Sequence, residues 1–336
     1  MSQQMVIIGA GLAGLSAACT AARQGWQVWL CSSLPSERAQ SVMAEGGINA
    51  ALDTQGQEDS PARHGADTLR AACGLADPNA VLAMTAAASA LVEELADLGV
   101  PFNRTADGQI DLRYFGGQKK KRTAFSQSDT GKQLMTALID AVRRYEAEGT
   151  VHRLNHHDFL TLLHDGPVCT GASLRDTWNG ESCDLPAQAV IIASGGLHGL
   201  FSCTTGSLAD TGAVTAELFR LGLPVANGEF IQYHPTTIAS NGKRMLVSEA
   251  ARGEGGRLWV KKQGRPWYFM EEKYPELGNL MPRDVTAREI WYHCQAGETV
   301  WLDLTGLEED IFFRKLSGLV ADCLLYGGVD IRCQPI

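Results

Sequence analysis

Along the chain, short apolar runs alternate with helical periodicity. Met5-Val6-Ile7-Ile8 is wholly apolar, as expected of a central parallel strand covered on both faces. Gly9-Ala10-Gly11-Leu12-Ala13-Gly14 follows without a gap, then an Ala-rich stretch that predicts a helix to about Gln24 and a second strand over Gln27 to Cys31. Asp77-Pro78-Asn79 has the signature of a helix start, with Asp as N-cap and Pro in the first turn. The periodicity places Leu82, Leu91 and Leu95 on one apolar face of that helix, which ends near Gly99. A further helix is predicted from Thr130, with Leu134, Leu138 and Val142 on one side and Gly149 closing it. Residues 151–185, with Val168 to Leu174 as a strand, read as a small sheet insertion. Ala187 to Ala193 reads as a second buried strand, and a helix follows Asp210-Thr211-Gly212 through Leu218. The fold class predicted is α/β.

The glycine pattern of residues 9–14 sits between a strand and a helix, and a second strand follows within the same unit. That context turns a weak motif into a dinucleotide fingerprint. Gly9 permits the tight turn, Ala10 and Gly11 let the backbone approach a pyrophosphate, and Gly14 lets helix and strand pack closely. The bland reading is an ordinary strand–turn–helix. The second strand runs into Ser32 and Ser33, where an Asp or Glu often holds the adenosine ribose. Ser32 is the candidate for that hydrogen bond, and no basic residue follows at once to favour a 2′-phosphate. FAD fits these residues better than a dissociable nicotinamide.

The chain has 336 residues, ample for a sizeable core in one large domain or two. A formal charge of -9 argues against nucleic acid as the main partner. No apolar run reaches the roughly 18 uninterrupted residues of a membrane span. The first residues, Met1-Ser2-Gln3-Gln4, carry no leader pattern. The nine cysteines are scattered and odd in number, and they form no Cys-x-x-Cys pair. Neither a disulfide framework nor a cysteine metal site is expected, and no metal is assigned. A reducing, cytoplasmic setting is expected.

Arg38-Ala39-Gln40-Ser41-Val42-Met43-Ala44-Glu45-Gly46-Gly47 resembles the flavoprotein subunits of succinate dehydrogenases and fumarate reductases. In that family Arg-Ser-His-Ser/Thr precedes a Gly-Gly turn lying against the flavin. The resemblance implies that Arg38, Ser41, Glu45, Gly46 and Gly47 join Gly9, Ala10, Gly11, Gly14 and Ser32 in the FAD cradle. It adds Ala193, Ser194, Gly195 and Gly212, which stand in segments similar to the family's Ala-Thr-Gly-Gly and Thr-Gly-Asp-Gly. Ala213 replaces the acid of the latter. The family's flavin-linking His is matched by Gln40, whose amide is not nucleophilic enough to form that bond. FAD is therefore expected to be held non-covalently, a change expected to lower the flavin potential and favour fumarate reduction.

Phe115-Gly116-Gly117 followed by Arg122-Thr123 is similar to a segment near the substrate in fumarate reductases. The related L-aspartate oxidases place a Glu where Phe115 sits, suited to an ammonium group. The cations Lys119-Lys120-Lys121-Arg122 between them read as a solvated loop, or else as a device that steers a dicarboxylate.

The densest chemistry lies in Gln232-Tyr233-His234-Pro235-Thr236 and Ser248-Glu249-Ala250-Ala251-Arg252-Gly253. An isolated His before Pro is often a satisfied turn residue, and Glu and Arg at i and i+3 often form only a helical ion pair. The resemblance implies more. His234 and Ser248 bind a substrate carboxylate beside Phe115, while Glu249 and Arg252 pass a proton to Arg283 of Pro282-Arg283-Asp284. Hydride transfer from flavin N5 to one alkene carbon of fumarate is then matched by a proton from Arg283 to the other. A guanidinium is a weak acid, so this needs a dry site and a very basic carbon. A plain bidentate clamp on a carboxylate is the alternative for Arg283.

The resemblance implies a Rossmann-like FAD-binding domain over residues 1–226, incomplete relative to the family, with an inserted α+β capping domain over 227–336. A family member normally returns to the FAD domain after the segment resembling Tyr326-Gly327-Gly328. Partners implied are a C4-dicarboxylate, an iron–sulfur subunit and a membrane anchor, which would place the chain peripherally on the inner face of the cytoplasmic membrane. Two other readings stand: an L-aspartate oxidase-like flavoenzyme, disfavoured by Phe115, and a degenerate, non-catalytic flavin-fold protein.

Overall fold

The computed structural model describes residues 3–240 and 243–336; Met1 and Ser2, at the start of the expected leaderless segment, lie outside the described residues. In chain order come β1 (Gln4–Ile8), α1 (Leu12–Arg23), β2 (Gln27–Ser32), β3 (Ile48–Asn49), α2 (Pro61–Ala71) and α3 (Pro78–Asp97). Then follow β4 (Leu112–Arg113), β5 (Thr123–Ala124), α4 (Thr130–Ala147), β6 (Val151–Asn155), β7 (His157–Asp165) and β8 (Val168–Asp176). Next are β9 (Ser182–Pro186), β10 (Ala189–Ile192), α5 (Ala213–Arg220), β11 (Thr237–Ser240), β12 (Lys243–Leu246) and α6 (Glu249–Gly253). The last are β13 (Arg257–Lys262), β14 (Arg265–Trp267), α7 (Phe269–Lys273), α8 (Arg283–Gln295), β15 (Val300–Asp303), α9 (Glu309–Arg314) and α10 (Ser317–Asp322).

Two compact units emerge. The first comprises residues 1–44 and 131–231, the second residues 45–130 and 232–336.

The first unit is built on a parallel sheet in the order β10-β1-β2-β6. Val6 and Ile7 are fully buried, and in register Val6 lies beside Val190 and Trp29. A three-stranded antiparallel sheet, β7-β8-β9, contributes Ala172 and Leu174 to a core shared with Val6, Ile8, Cys31 and Ala187. Two expectations need correction here. Residues 151–185 are not one insertion, because β6 pairs in parallel with β2 as part of the main sheet. The strand at β10 is not fully buried either: it is a sheet edge, and Ile192 is 38% exposed. Apolar content alone does not distinguish an edge from a centre. α4 does bury Leu134, Leu138 and Val142, and Gly149 after it takes the left-handed conformation expected of a helix terminator.

The second unit holds two three-stranded sheets, β3-β5-β4 and β14-β13-β15, and the hairpin β11-β12. Its core gathers Val247, Ala250, Ala251, Leu258, Val260, Phe269, Met270, Leu316 and Leu319. Asp77 caps α3 as expected, accepting from the Asn79 N–H at 2.8 Å. Its buried stripe is Val81, Thr85, Val92 and Leu95; Leu82 and Leu91, expected on the core face, are exposed. β-branched Val81, Thr85 and Val92 share the core side with Leu95, so the leucine spacing locates only one of the buried positions. α3 has the length and mean hydropathy, 1.2, of a membrane-crossing helix, although its apolar run is interrupted by polar residues. The four-cation segment is a solvated loop only in part: the Lys119 side chain is 67% exposed, but the run ends in the interior. Arg122 is buried, with Nη2 at 2.9 Å from both Asp59 and Asp67. Lys120 Nζ caps the Gln57 carbonyl, and Lys121 lies over the Tyr114 ring.

Candidate functional site

In the first unit, a cavity of about 700 Å³ opens where β1 ends and α1 begins. Gly9, Ala10, Gly11, Ser32, Arg38, Ser41, Ala193, Ser194, Gly195 and Gly212 all line it, together with Gln40. Gly14 does not. A Cβ there would sit 1.8 Å from the Gly9 carbonyl oxygen, so its place is the helix–strand contact that holds the turn shut. Gly9 has φ +108, and a Cβ on it would meet the Ala193 carbonyl oxygen at 2.2 Å. Gly11 opens α1 with no side-chain cap. The first-turn N–H groups are thus left to a ligand, apart from Leu12 N, which donates to Ser41 Oγ at 3.2 Å. A glycine cradle, an uncapped helix N-terminus and a cavity of this size suit the pyrophosphate and nucleoside of FAD.

The cavity also recruits residues that the sequence did not single out. His157, Asp158, Phe159 and Arg175 reach it from β7 and β8, and Asp210 and Thr211 from the turn before α5. Asp158 and Arg175 face each other at 3.3 Å. They lie far along the chain from the fingerprint, and only the folding of β7 and β8 against the main sheet brings them there. Ser32 lines the cavity, but its hydroxyl donates to the Leu34 carbonyl at 2.7 Å. Toward a ribose it is left as an acceptor.

The second unit holds the remaining candidates, with Glu45, Gly46 and Gly47 among them. Ser248 is the N-cap of the five-residue α6 and accepts from the Ala250 N–H at 3.3 Å. One turn of helix then places Glu249 and Arg252 on the same side. The Glu249 carboxylate accepts from Arg283 Nε at 2.7 Å through Oε2 and from Arg252 Nη2 at 3.1 Å through Oε1. The Glu249 side chain is 3% exposed, that of Arg252 0% and that of Arg283 39%. Arg252 Nη1 donates to the Asn279 carbonyl at 2.7 Å, its Nε is buried without a partner, and burial lowers its pKa. Arg283, the first residue of α8, also points Nη1 toward Gln232 Oε1 at 3.4 Å. Gly116 makes room for this pair: a Cβ there would lie 2.1 Å from Glu249 Oε1.

His234 has Nδ1 2.9 Å from the Thr236 carbonyl and 3.3 Å from the Thr236 N–H, which leaves Nε2 as its free nitrogen. Burial, with Arg283 and Arg252 nearby, pushes its pKa down to about 4, so the imidazole is neutral near pH 7. Phe115 packs against Gly46, where a Cβ would meet the ring at 2.5 Å, and against the apolar core of its unit. Gly47, at φ +128, lies hard against the Ala124 carbonyl. Arg113 holds the Gly-Gly turn by donating to the Gly46 carbonyl through Nε at 3.1 Å and to the Glu45 carbonyl through Nη2 at 3.2 Å. Its guanidinium lies 4.2 Å from the Phe125 ring centre. Among the described residues no cluster of three or more His, Cys, Asp or Glu side chains could hold a metal ion.

The family model described as "FAD binding domain" matches residues 4–336. The chain is 42% identical to the succinate dehydrogenase flavoprotein subunit of Bacillus subtilis (strain 168), covering 100% of this chain and 59% of that protein. It is 36% identical to the L-aspartate oxidase of Mesorhizobium japonicum, covering 98% of this chain and 62% of that protein. Among solved structures it superimposes on E. coli quinol fumarate reductase FrdA with a TM-score of 0.88 at 27% identity, covering 100% of this chain and 59% of that one. The chain thus spans about three-fifths of the length of these proteins.

Proposed function

We propose, from the premise that this chain belongs to the FAD binding domain family and is similar to succinate dehydrogenase and fumarate reductase flavoprotein subunits, that it serves an FAD-dependent interconversion of fumarate and succinate. The observation that carries this reading is the unbroken contact series Arg283–Glu249–Arg252 beside Ser248 and His234. The series is sealed at Arg252 and Glu249 and opens to solvent at Arg283, so it offers a route for a proton toward the open end.

FAD, when bound, supplies or accepts a hydride at its N5. Gly9, Ala10, Gly11 and the α1 N-terminus would hold its pyrophosphate. In fumarate reduction Arg283 delivers a proton to the alkene carbon that does not receive the hydride. Glu249 and Arg252 restore that proton, and the shared Glu249 carboxylate fixes both guanidinium planes. His234 and Ser248 orient a substrate carboxylate, with Phe115 as an apolar wall. Proton transfer from the guanidinium of Arg283, 39% exposed in the free chain, requires that bound substrate and flavin exclude water, so that water does not compete for the basic carbon.

Non-covalent attachment of FAD follows from Gln40, which lines the cavity where a nucleophilic His would be required. We further assign residues 1–226 to an FAD-binding domain and 227–336 to a cap. Partnership with an iron–sulfur subunit and a membrane anchor, and hence a peripheral position on the inner face of the cytoplasmic membrane, belong to the same proposal. The L-aspartate oxidase reading is supported by the 36% identity but offers no acidic side chain at Phe115 for a substrate ammonium. An anaerobic assay of the FAD-loaded chain with reduced dye separates the two. Fumarate-dependent dye oxidation without L-aspartate oxidation supports the proposal, and the reverse pattern rejects it.

A further inference from the structure

The inner end of the arginine–glutamate series rests on a residue that the proposed proton transfer does not use. Arg252 carries a forked set of N–H donors on a fully buried side chain, and each donor needs an acceptor. Nη2 meets Glu249, and Nη1 donates at 2.7 Å to a main-chain oxygen, the carbonyl of Asn279. That carbonyl belongs to one short helical turn, Gly278–Leu280, between α7 and α8. A loop carbonyl holds a guanidinium only as firmly as the loop itself is held.

The Asn279 side chain supplies the hold. Asn279 is 9% exposed, and both ends of its amide are occupied. Oδ1 accepts from the Leu258 N–H of β13 at 2.9 Å, and Nδ2 donates to Glu271 Oε1 of α7 at 3.1 Å. Glu271 is itself clamped by Arg257, which donates from Nε at 2.7 Å and from Nη2 at 2.6 Å. One amide thus ties strand, helix and turn together. An ionised Asp in its place would keep the acceptor and lose the donor, and Leu would lose both.

The same turn reaches the rest of the series. The Leu280 carbonyl accepts from the Gly117 N–H at 2.7 Å, beside Gly116, whose missing side chain gives Glu249 its room. Pro282 then caps α8, and Arg283 begins it. The Thr286 hydroxyl bonds back to the Met281 and Pro282 carbonyls, each at 3.2 Å. The segment that pins the buried arginine therefore hands the chain directly to the exposed one.

We infer that Asn279 is a positioning residue for the Arg252–Glu249–Arg283 series. Its amide fixes the turn whose carbonyl aims the Arg252 guanidinium at Glu249, and from which Arg283 enters α8. This deepens the proton-delivery reading given above and rests on it. A purely structural Asn279 would only close the sheet where β14, paired from Val260 to Lys262, no longer reaches Leu258.

Two measurements separate these roles, on Asn279→Leu, Asn279→Asp and the double variant Asn279→Asp with Glu271→Gln. The double variant keeps the net charge and restores a donor–acceptor pair with its direction reversed. The first measurement uses neither flavin nor substrate: nitrogen NMR of the arginine side chains in the full chain at pH 7, with Arg252 identified by its loss in Arg252→Met. The wild type should give two separate Nη signals, because both nitrogens are held. The signals should merge in the two single variants and separate again in the double. Separate Nη signals persisting unchanged in both single variants overturn the inference and leave the proton-delivery reading intact. The second is single-turnover reoxidation of the reduced, FAD-loaded chain by fumarate, expressed per bound flavin, together with succinate affinity. The single variants should be about 10-fold to 10²-fold slower, as expected of a misplaced proton donor, with affinity within about 2-fold and the double within about 3-fold of the wild-type rate. A merely structural residue lowers the yield of flavin-loaded protein but not the rate per flavin, and that result also overturns the inference. A wild-type chain that shows the NMR pattern yet is not reoxidised by fumarate overturns the proton-delivery reading, and the role of Asn279 in it.

Discussion

Arg283 Nε donates to Glu249 Oε2 at 2.7 Å, joining a half-exposed guanidinium to a carboxylate that is 3% exposed. The same carboxylate binds Arg252, whose side chain is fully buried. Glu249 is therefore the single anion on which two cations depend, and the consequences of disturbing it can be ranked.

Glu249→Gln keeps the shape but leaves buried Arg252 without its counter-charge. A loss of about 3–5 kcal/mol in unfolding free energy is expected, the cost of breaking a buried pair from one side. Urea unfolding of the single and double variants checks it. Adding Arg252→Met to Glu249→Gln should recover part of the loss, because no uncompensated charge remains.

His234 is neutral above about pH 4 in the free protein. A bound dianion favours the imidazolium, so its pKa rises on binding. Between about 4 and that raised value, binding takes up a proton, and affinity falls as pH rises. Calorimetry of succinate binding at pH 5–6, in buffers of different ionisation heat, should show an uptake approaching one proton. His234→Gln should abolish it, and equal heats in all buffers for the wild type would contradict the assignment.

Glu45 gives stability a pH dependence of the opposite sense to an ordinary ion-paired carboxylate. Its folded pKa, about 8, lies above the unfolded 4.5. The native state thus holds a proton the unfolded chain has released. Stability is fully present below pH 4.5, is lost as pH rises through about 8, and levels off above it. Each pH unit inside that window costs up to ~1.4 kcal/mol. Glu45→Gln should flatten the wild-type fall in urea midpoint between pH 5 and pH 9, and parallel curves would refute this.

The flavin makes a separate test. With Gln40 in place of a nucleophile, acid precipitation should release FAD into the supernatant; colour retained in the pellet would contradict non-covalent binding. Gly9→Ala places a methyl 2.2 Å from the Ala193 carbonyl at φ +108. It should abolish FAD retention on gel filtration and cost at least ~2 kcal/mol of stability.

Much of this site was legible where chemistry and chain order coincide. The Gly9–Gly14 turn, the Asp77 cap and the Ser248–Arg252 turn are local, with partners a few residues apart, so composition and spacing reveal them. Arg283 was reached only through family resemblance, because nothing in its own neighbourhood points to Glu249, 34 residues away. Asp158 and Asp210 were missed for the same reason. The surroundings of Asp158 are assembled by the folding of β7 and β8, and no periodicity encodes that. The four-cation run failed differently. Charge counting treats Arg122 like its lysine neighbours, whereas Asp59 and Asp67 draw it into the interior. On α3, Val81, Thr85 and Val92 face the core with Leu95 while Leu82 and Leu91 are exposed, so hydrophobicity identified the helix but not its orientation.

Anaerobic single-turnover reoxidation of the reduced, FAD-loaded chain by fumarate tests the central claim most directly, with the wild type and Arg283→Gln compared. If Arg283 delivers the proton, fumarate reoxidises the wild-type flavin with formation of succinate. The variant should then be about 10²-fold to 10⁴-fold slower, the usual worth of a positioned acid, while retaining FAD. Equal rates in the two proteins, or a wild-type rate independent of fumarate, would contradict it.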